Sequence, residues 1–172
     1  MSNSSLSFAE ISQLLQAEFG AEVLINSNAA ALQPWLEVSA SQLLAVCRFL
    51  RDDSRLYFDY LECLSGVDLG PKTQKIGVVY HLMSIPRGHQ LVLKCFVDRP
   101  LQTEKQVPTL PSVVELWRTA DWHEREAYDL MGITFSDHPD LRRILLPEDW
   151  VGHPLRKDYQ NPEFYHGIQT EY

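Results

Sequence analysis

Apolar residues recur at three- and four-residue steps near the start of the chain: Phe8, Ile11, Leu14, Leu15 and Phe19. That period predicts an amphipathic helix over residues 7–19, stopped at Gly20. Two short strands are expected next, at Ala21 to Ile25 and at Trp35 to Val38, parted by an Asn/Ala turn and Pro34. Ser39 or Ser41 can cap a second helix that runs to about Leu50 and turns Leu43, Leu44, Val46, Cys47 and Leu50 inward.

The period then shortens. Tyr57 to Leu64 reads as a strand, followed by turn chemistry at Ser65-Gly66-Val67-Asp68 and at Gly70-Pro71. Residues 76–83 and 91–97 are rich in β-branched and aromatic side chains and read as two more strands, joined by a hairpin at Pro86-Arg87-Gly88-His89. Helix, strand pair, helix and antiparallel meander together predict an α+β fold, a two-layer sandwich of helices on a mainly antiparallel sheet.

After Pro108 the texture changes. Leu110-Pro111-Ser112 can open a short helix through Trp117. Asp121-Trp122-His123-Glu124 has the form of a capping box for a further helix, and Gly132 suits a left-handed stop. Beyond it come forty residues with four prolines and no sustained period, yet they carry Phe135, Leu141, Ile144, Leu145, Leu146, Trp150, Tyr159, Phe164 and Tyr165. Apolar anchors on an extended chain need a surface, either the chain's own sheet or a partner. The expected organisation is a core over residues 1–107, helices packed on it over 108–132, and an extended C-terminal docking segment over 133–172.

The formal net charge of -8 argues against a nucleic-acid binder, which needs a basic face, and against unassisted adhesion to anionic lipid. No apolar run is long enough for a membrane span, and Met1-Ser2-Asn3-Ser4-Ser5-Leu6 has no basic or apolar leader pattern. Cys47, Cys63 and Cys95 are odd in number, widely spaced and set among apolar residues, so they are expected as reduced core thiols. No metal, iron–sulfur, flavin, nucleotide or quinone motif is present, so no bound cofactor is expected.

The densest chemistry is Glu124-Arg125-Glu126 with Asp129, followed by Arg142, Arg143, Arg156, Lys157 and Asp158. Arg125 and Asp129 are one helical turn apart and can pair. Glu126 and Asp129 share an edge and could serve acid/base catalysis if burial separated their pKa values, but no nucleophile accompanies them. His123 with Glu126 reverses the order of the di-metal Glu-x-x-His motif and occurs once. Arginines interleaved with Trp150 and Tyr159 instead suit an interface, within the chain or between chains, where guanidinium groups fork onto carboxylates.

Glu124-Arg125-Glu126-Ala127-Tyr128-Asp129-Leu130-Met131-Gly132-Ile133, then His138 to Leu145, then Pro147 to Tyr159, resembles the signature segment of the C-type subunit family of NADH–quinone oxidoreductases, complex I. Ser65-Gly66-Val67-Asp68 ahead of Tyr80-His81-Leu82 also fits, whereas residues 1–55 carry no such likeness. The resemblance implies a scaffold subunit of the peripheral arm, without a catalytic site or cofactor of its own. It would dock on the D-type subunit and near the B-type subunit, on the cytoplasmic side of the inner membrane. The complex passes electrons from NADH through FMN and iron–sulfur clusters to quinone and couples this to proton transport.

The interface residues so implied are Glu124, Arg125, Glu126, Asp129, Arg142, Arg143, Trp150, Arg156, Lys157, Asp158 and Tyr159. His153 and the ending after Tyr159 favour the bacterial respiratory branch over the photosynthetic, plastoquinone-using one. A chain separate from the D-type subunit, not the form fused to it, is also expected from its length. The remaining alternatives are a homologous scaffold in a membrane-bound hydrogenase and a small stand-alone acid/base enzyme.

Overall fold

The computed structural model describes residues 5–100 and 106–170. The Met1–Ser4 stretch, residues 101–105 of the expected core and the last two residues of the expected docking segment lie outside them. Helix α1 spans Phe8–Phe19 and opens on a capping box, in which Ser7 and Glu10 each satisfy the other's backbone amide. Strands β1 (Asn26–Asn28) and β2 (Trp35–Glu37) lead to helix α2 (Ala40–Asp52). Strands β3 (Tyr60–Asp68), β4 (Lys75–Ser84) and β5 (His89–Asp98) form the meander. They complete a five-stranded sheet of order β1-β2-β5-β4-β3, antiparallel except where β2 lies parallel to β5.

Period two decides the layers. One face of β4 buries Ile76, Val78, Tyr80 and Leu82, and its β5 partners Leu91, Leu93 and Cys95 share that face. Ile11 and Leu15 of α1, and Leu43, Val46, Cys47 and Leu50 of α2, belong to the same core cluster. Helix α3 (Ala120–Met131) packs beside them over β3. The sequence expectation of helices on a mainly antiparallel sheet therefore holds.

The structure departs from expectation in four places. Ala21–Val23 is a single 3-10 turn, and the strand falls on Asn26–Asn28, where backbone pairing to β2 acts on residues whose side chains are exposed. Ser65-Gly66-Val67-Asp68 is strand, not turn. Gly66 meets helix α3 there, and a Cβ on it would lie 2.7 Å from the Met131 Sδ, so the glycine serves close approach.

Thr109–Pro111 forms β6, parallel to β7 (Thr134–Ser136), and Val113–Trp117 is a turn rather than a helix. Lastly, α3 begins at Ala120 after Thr119, and its expected capping box is absent: Glu124 bonds elsewhere. Gly132 does stop the helix in the left-handed region, at φ 70°. Cys47 and Cys95 are buried in the core as expected, whereas Cys63 is half-buried beside Ser65.

Candidate functional site

Two buried aspartates organise the last third of the chain. Asp129, in the last turn of α3, is fully buried. Its Oδ2 accepts the backbone amides of Ile144, Leu145 and Leu146 at 3.0, 2.7 and 2.9 Å. Its Oδ1 accepts Arg143 Nη1 at 2.8 Å. Three consecutive amides converging on one oxygen make a small anion nest, here filled by the chain's own carboxylate.

Arg143 is forked in turn onto the Trp150 and Gly152 carbonyls at 3.3 and 3.1 Å, and His153 Nδ1 donates to the Asp129 carbonyl at 2.9 Å. The His153 ring lies over Gly132, where a Cβ would come within 2.6 Å of it. Burial would raise the Asp129 carboxyl, but the amides of Leu146 and Leu145, the Arg143 guanidinium and the Ile144 amide together hold it below the ordinary range.

The second anchor lies at the far end of β3. Asp68 Oδ1 accepts Arg99 Nε at 2.5 Å and the Gly70 amide at 2.8 Å, while Oδ2 accepts the Lys157 amide at 2.8 Å. The Asp68 and Arg99 side chains are 1% and 2% exposed. Arg99 also reaches Asp158 at 2.8 Å, and Asp158 takes Arg156 Nε at 3.1 Å. Arg156 donates further to the Pro100 carbonyl. Trp150 Nε1 donates to the Tyr159 hydroxyl at 3.1 Å, which ties the two anchors together. At Asp68 too, burial raises the carboxyl while the Arg99, Lys157 and Gly70 donors lower it further, for a net depression. Residues 143–159 are thus a strap held by charge-assisted bonds rather than by a periodic apolar face.

Glu124 forms a third, fully buried polar centre on α3. Its Oε2 accepts the Ser112 hydroxyl at 2.7 Å and its Oε1 the Val113 amide at 2.8 Å, so it closes the Val113–Trp117 turn instead of its own helix. Burial pushes its carboxyl up to about 7, against the two bonds that lower it. The folded pKa therefore lies above the unfolded one. This stabilisation is complete below about pH 4.5 and is lost as pH rises through about 7, by roughly 3 kcal/mol. Urea unfolding at pH 5 and pH 8 should show that loss in the wild type and much less of it in Glu124→Gln. An equal slope in both proteins would remove the assignment.

The expected site residues divide among the anchors, the interior and the surface. Asp129 with Arg143, and Arg156 with Asp158, Trp150 and Tyr159, belong to the anchors. Lys157 contributes its backbone amide to Asp68 while its side chain is exposed. Glu124 is internal and Glu126 is exposed. Arg142 is exposed and paired with Asp140 at 2.9 Å. The expected Arg125–Asp129 pair is not formed, because Asp129 turns to the strap and Arg125 stacks on Trp122.

Glu126 and Asp129 are no acid/base couple either: Asp129 is sealed by four donors and held ionised. Among the described residues no group of three His, Cys, Asp or Glu side chains could hold a metal ion. Asp68, Arg99, Ser112 and His153 are the participants that sequence reading missed. Asp68, at the end of β3, appeared there only as part of the Ser65-Gly66-Val67-Asp68 likeness, and Arg99 carried no signal.

The chain matches the family model described as respiratory-chain NADH dehydrogenase, 30-kDa subunit, over residues 36–165. It is 53% identical over 129 residues to the C-type subunit of NADH-quinone oxidoreductase from Chloroherpeton thalassium, a match covering 74% of this chain and only 50% of that longer relative. It is 48% identical over 141 residues to the corresponding subunit from Chlorobium phaeobacteroides, covering 81% of each. Among solved structures, the trypsin-resistant fragment of Nqo5 superposes with a TM-score of 0.55 at 26% identity, over 75% of this chain and 97% of the fragment. A chain of the membrane-bound sulfane sulfur reductase, an archaeal respiratory membrane complex, shares the fold with a TM-score of 0.70 at 21% identity, over 88% of this chain and 85% of its own.

Proposed function

The chain belongs to the family of the 30-kDa subunit of respiratory-chain NADH dehydrogenase, and from that premise we propose that it is a scaffold subunit of an NADH–quinone oxidoreductase. In this reading the complex carries electrons from NADH through FMN and iron–sulfur clusters to quinone and transports protons. This chain binds none of those groups and contributes contact alone. Its partners are the other peripheral-arm subunits, chiefly the D-type and also the B-type, and it sits on the cytoplasmic side of the inner membrane. No helix among the described residues is long and apolar enough to cross a membrane.

The observation that carries the reading is the strap. Its inward side is consumed by the Asp68 and Asp129 anchors, while Leu145, Val151 and Leu155 point outward with 55–82% of their surface exposed, as do Phe164 and Ile168 just beyond it. A segment fixed by polar bonds that displays apolar side chains is built to be covered by another protein. The test is purification of a tagged chain from detergent-solubilised membranes, with its companions identified by mass spectrometry. Other components of an NADH–quinone oxidoreductase should be recovered in constant ratio. A chain recovered alone, or with a nickel-binding hydrogenase subunit, would remove the proposal.

A further inference from the structure

Arg125 is a buried cation whose terminal nitrogens have no acidic partner among the described residues. The residue is 6% exposed, although it lies on the same flank of α3 as Trp122, which is 63% exposed. Its Nε donates to the Arg142 carbonyl at 3.3 Å, and its guanidinium carbon lies 5.0 Å from the centre of the Trp122 ring. The acids around it face other groups. Asp129 takes Arg143 and three amides, and Glu124 takes Ser112 and Val113. Asp121, one turn earlier on α3, faces His138 Nε2 at 3.3 Å. Asp140, which feels the Arg125 charge, takes Arg142 at 2.9 Å. Among the described residues Arg125 forms no ion pair.

A guanidinium has five N–H donors in a flat fork, and here one of them is used. Leaving a largely buried charge without an ionic partner is costly, and a carboxylate is its best-matched partner. The stacked Trp122 holds the fork in place, so little side-chain freedom is lost when an acid enters. Tryptophan and arginine are also among the residue types enriched where interfaces concentrate their energy.

We propose that Arg125 and Trp122 form a receptor for a side-chain carboxylate on an acidic segment of a neighbouring subunit. The inference rests on the scaffold reading and names the chemistry of one contact within it. Arg142, exposed beside the fork and already neutralised by Asp140, lies at the rim of the receptor, and Arg125 is its centre.

The test exchanges the fork for a reactive amine. Arg125→Lys is purified in its complex and treated with a water-soluble carbodiimide, which joins an amine to a carboxylate in direct contact. Peptide mapping should find the amine at position 125 joined to an Asp or Glu of another chain. Joining only to Asp140, or none at position 125 while other links between this chain and its companions form, would overturn the inference and leave the scaffold reading standing. Failure to recover any companion with the wild-type chain would remove both.

Arg125→Gln provides a second readout. The isolated variant should melt within about 3 °C of the wild type, while its recovery with companions falls about tenfold or more. A melting temperature depressed in step with recovery would make the role internal and overturn the proposal. Flotation of the wild type, but not of Arg125→Gln, with vesicles of phosphatidylglycerol and phosphatidylcholine would reassign the receptor to lipid phosphate and overturn it equally.

Discussion

Replacing Asp129 with alanine should destabilise the folded chain by about 3–5 kcal/mol, because it strips Arg143 and three backbone amides of their shared acceptor. For a chain of 172 residues this corresponds to a melting point lowered by roughly 6–20 °C. Limited proteolysis should cut first between residues 140 and 160, since that segment loses its anchor while the sheet keeps its core. Asn at the same place preserves an oxygen for the amides but removes the charge, so it should lose about half as much. The wild-type anchor has an acid limit of its own. The Asp129 carboxyl is held below its unfolded value, so its stabilisation is present above about pH 3.8 and disappears as pH falls through the lower folded value. A destabilisation under about 1 kcal/mol in Asp129→Ala, measured by urea unfolding at pH 6, would show that the strap holds by its apolar contacts instead.

Arg99→Met should be comparably severe, about 3–5 kcal/mol, for a different reason: it leaves the Asp68 carboxylate buried with two amide donors and no cation. The double variant Asp68→Asn, Arg99→Met keeps an oxygen for one of the Gly70 and Lys157 amides and buries no net charge. It should therefore be more stable than Arg99→Met alone. A double-mutant cycle by urea unfolding checks this, and strictly additive losses would argue that Asp68 and Arg99 act independently despite their 2.5 Å contact. Asp158 also bonds Arg99, so the Met variant should loosen the strap near residue 158 as well.

Much of the architecture was legible because its signals are short-range. The period of Phe8, Ile11, Leu15 and Phe19, the two apolar runs of β4 and β5, and the left-handed stop at Gly132 each depend on residues a turn or a strand apart. Misreadings arose where a local rule met a distant neighbour. Gly66 has turn chemistry in isolation, but Met131 and Ala127 of α3 lie against it, and a strand with no side chain at that point lets the helix approach. Asp121 and Glu124 have capping spacing, yet Ser112 and Val113 offer Glu124 two donors in a buried place. The buried site prevailed because a carboxylate removed from water needs its bonds more than an exposed helix end does.

The α+β layering, the membership of a family and the region in which the charged chemistry concentrates were all readable along the chain, since composition, period and motif are carried by neighbouring residues. What the charged residues of that region do depends on contacts between segments far apart in the chain. Asp68 and Lys157 are 89 positions apart, and Asp129 meets the 144–146 amides only after the chain has doubled back on α3. No periodicity records such a closure. The same distance separates roles that look alike in the chain: Arg143 and Arg156 are bound to the chain's own acids, and Arg125 alone of the three is left with its fork unpaired.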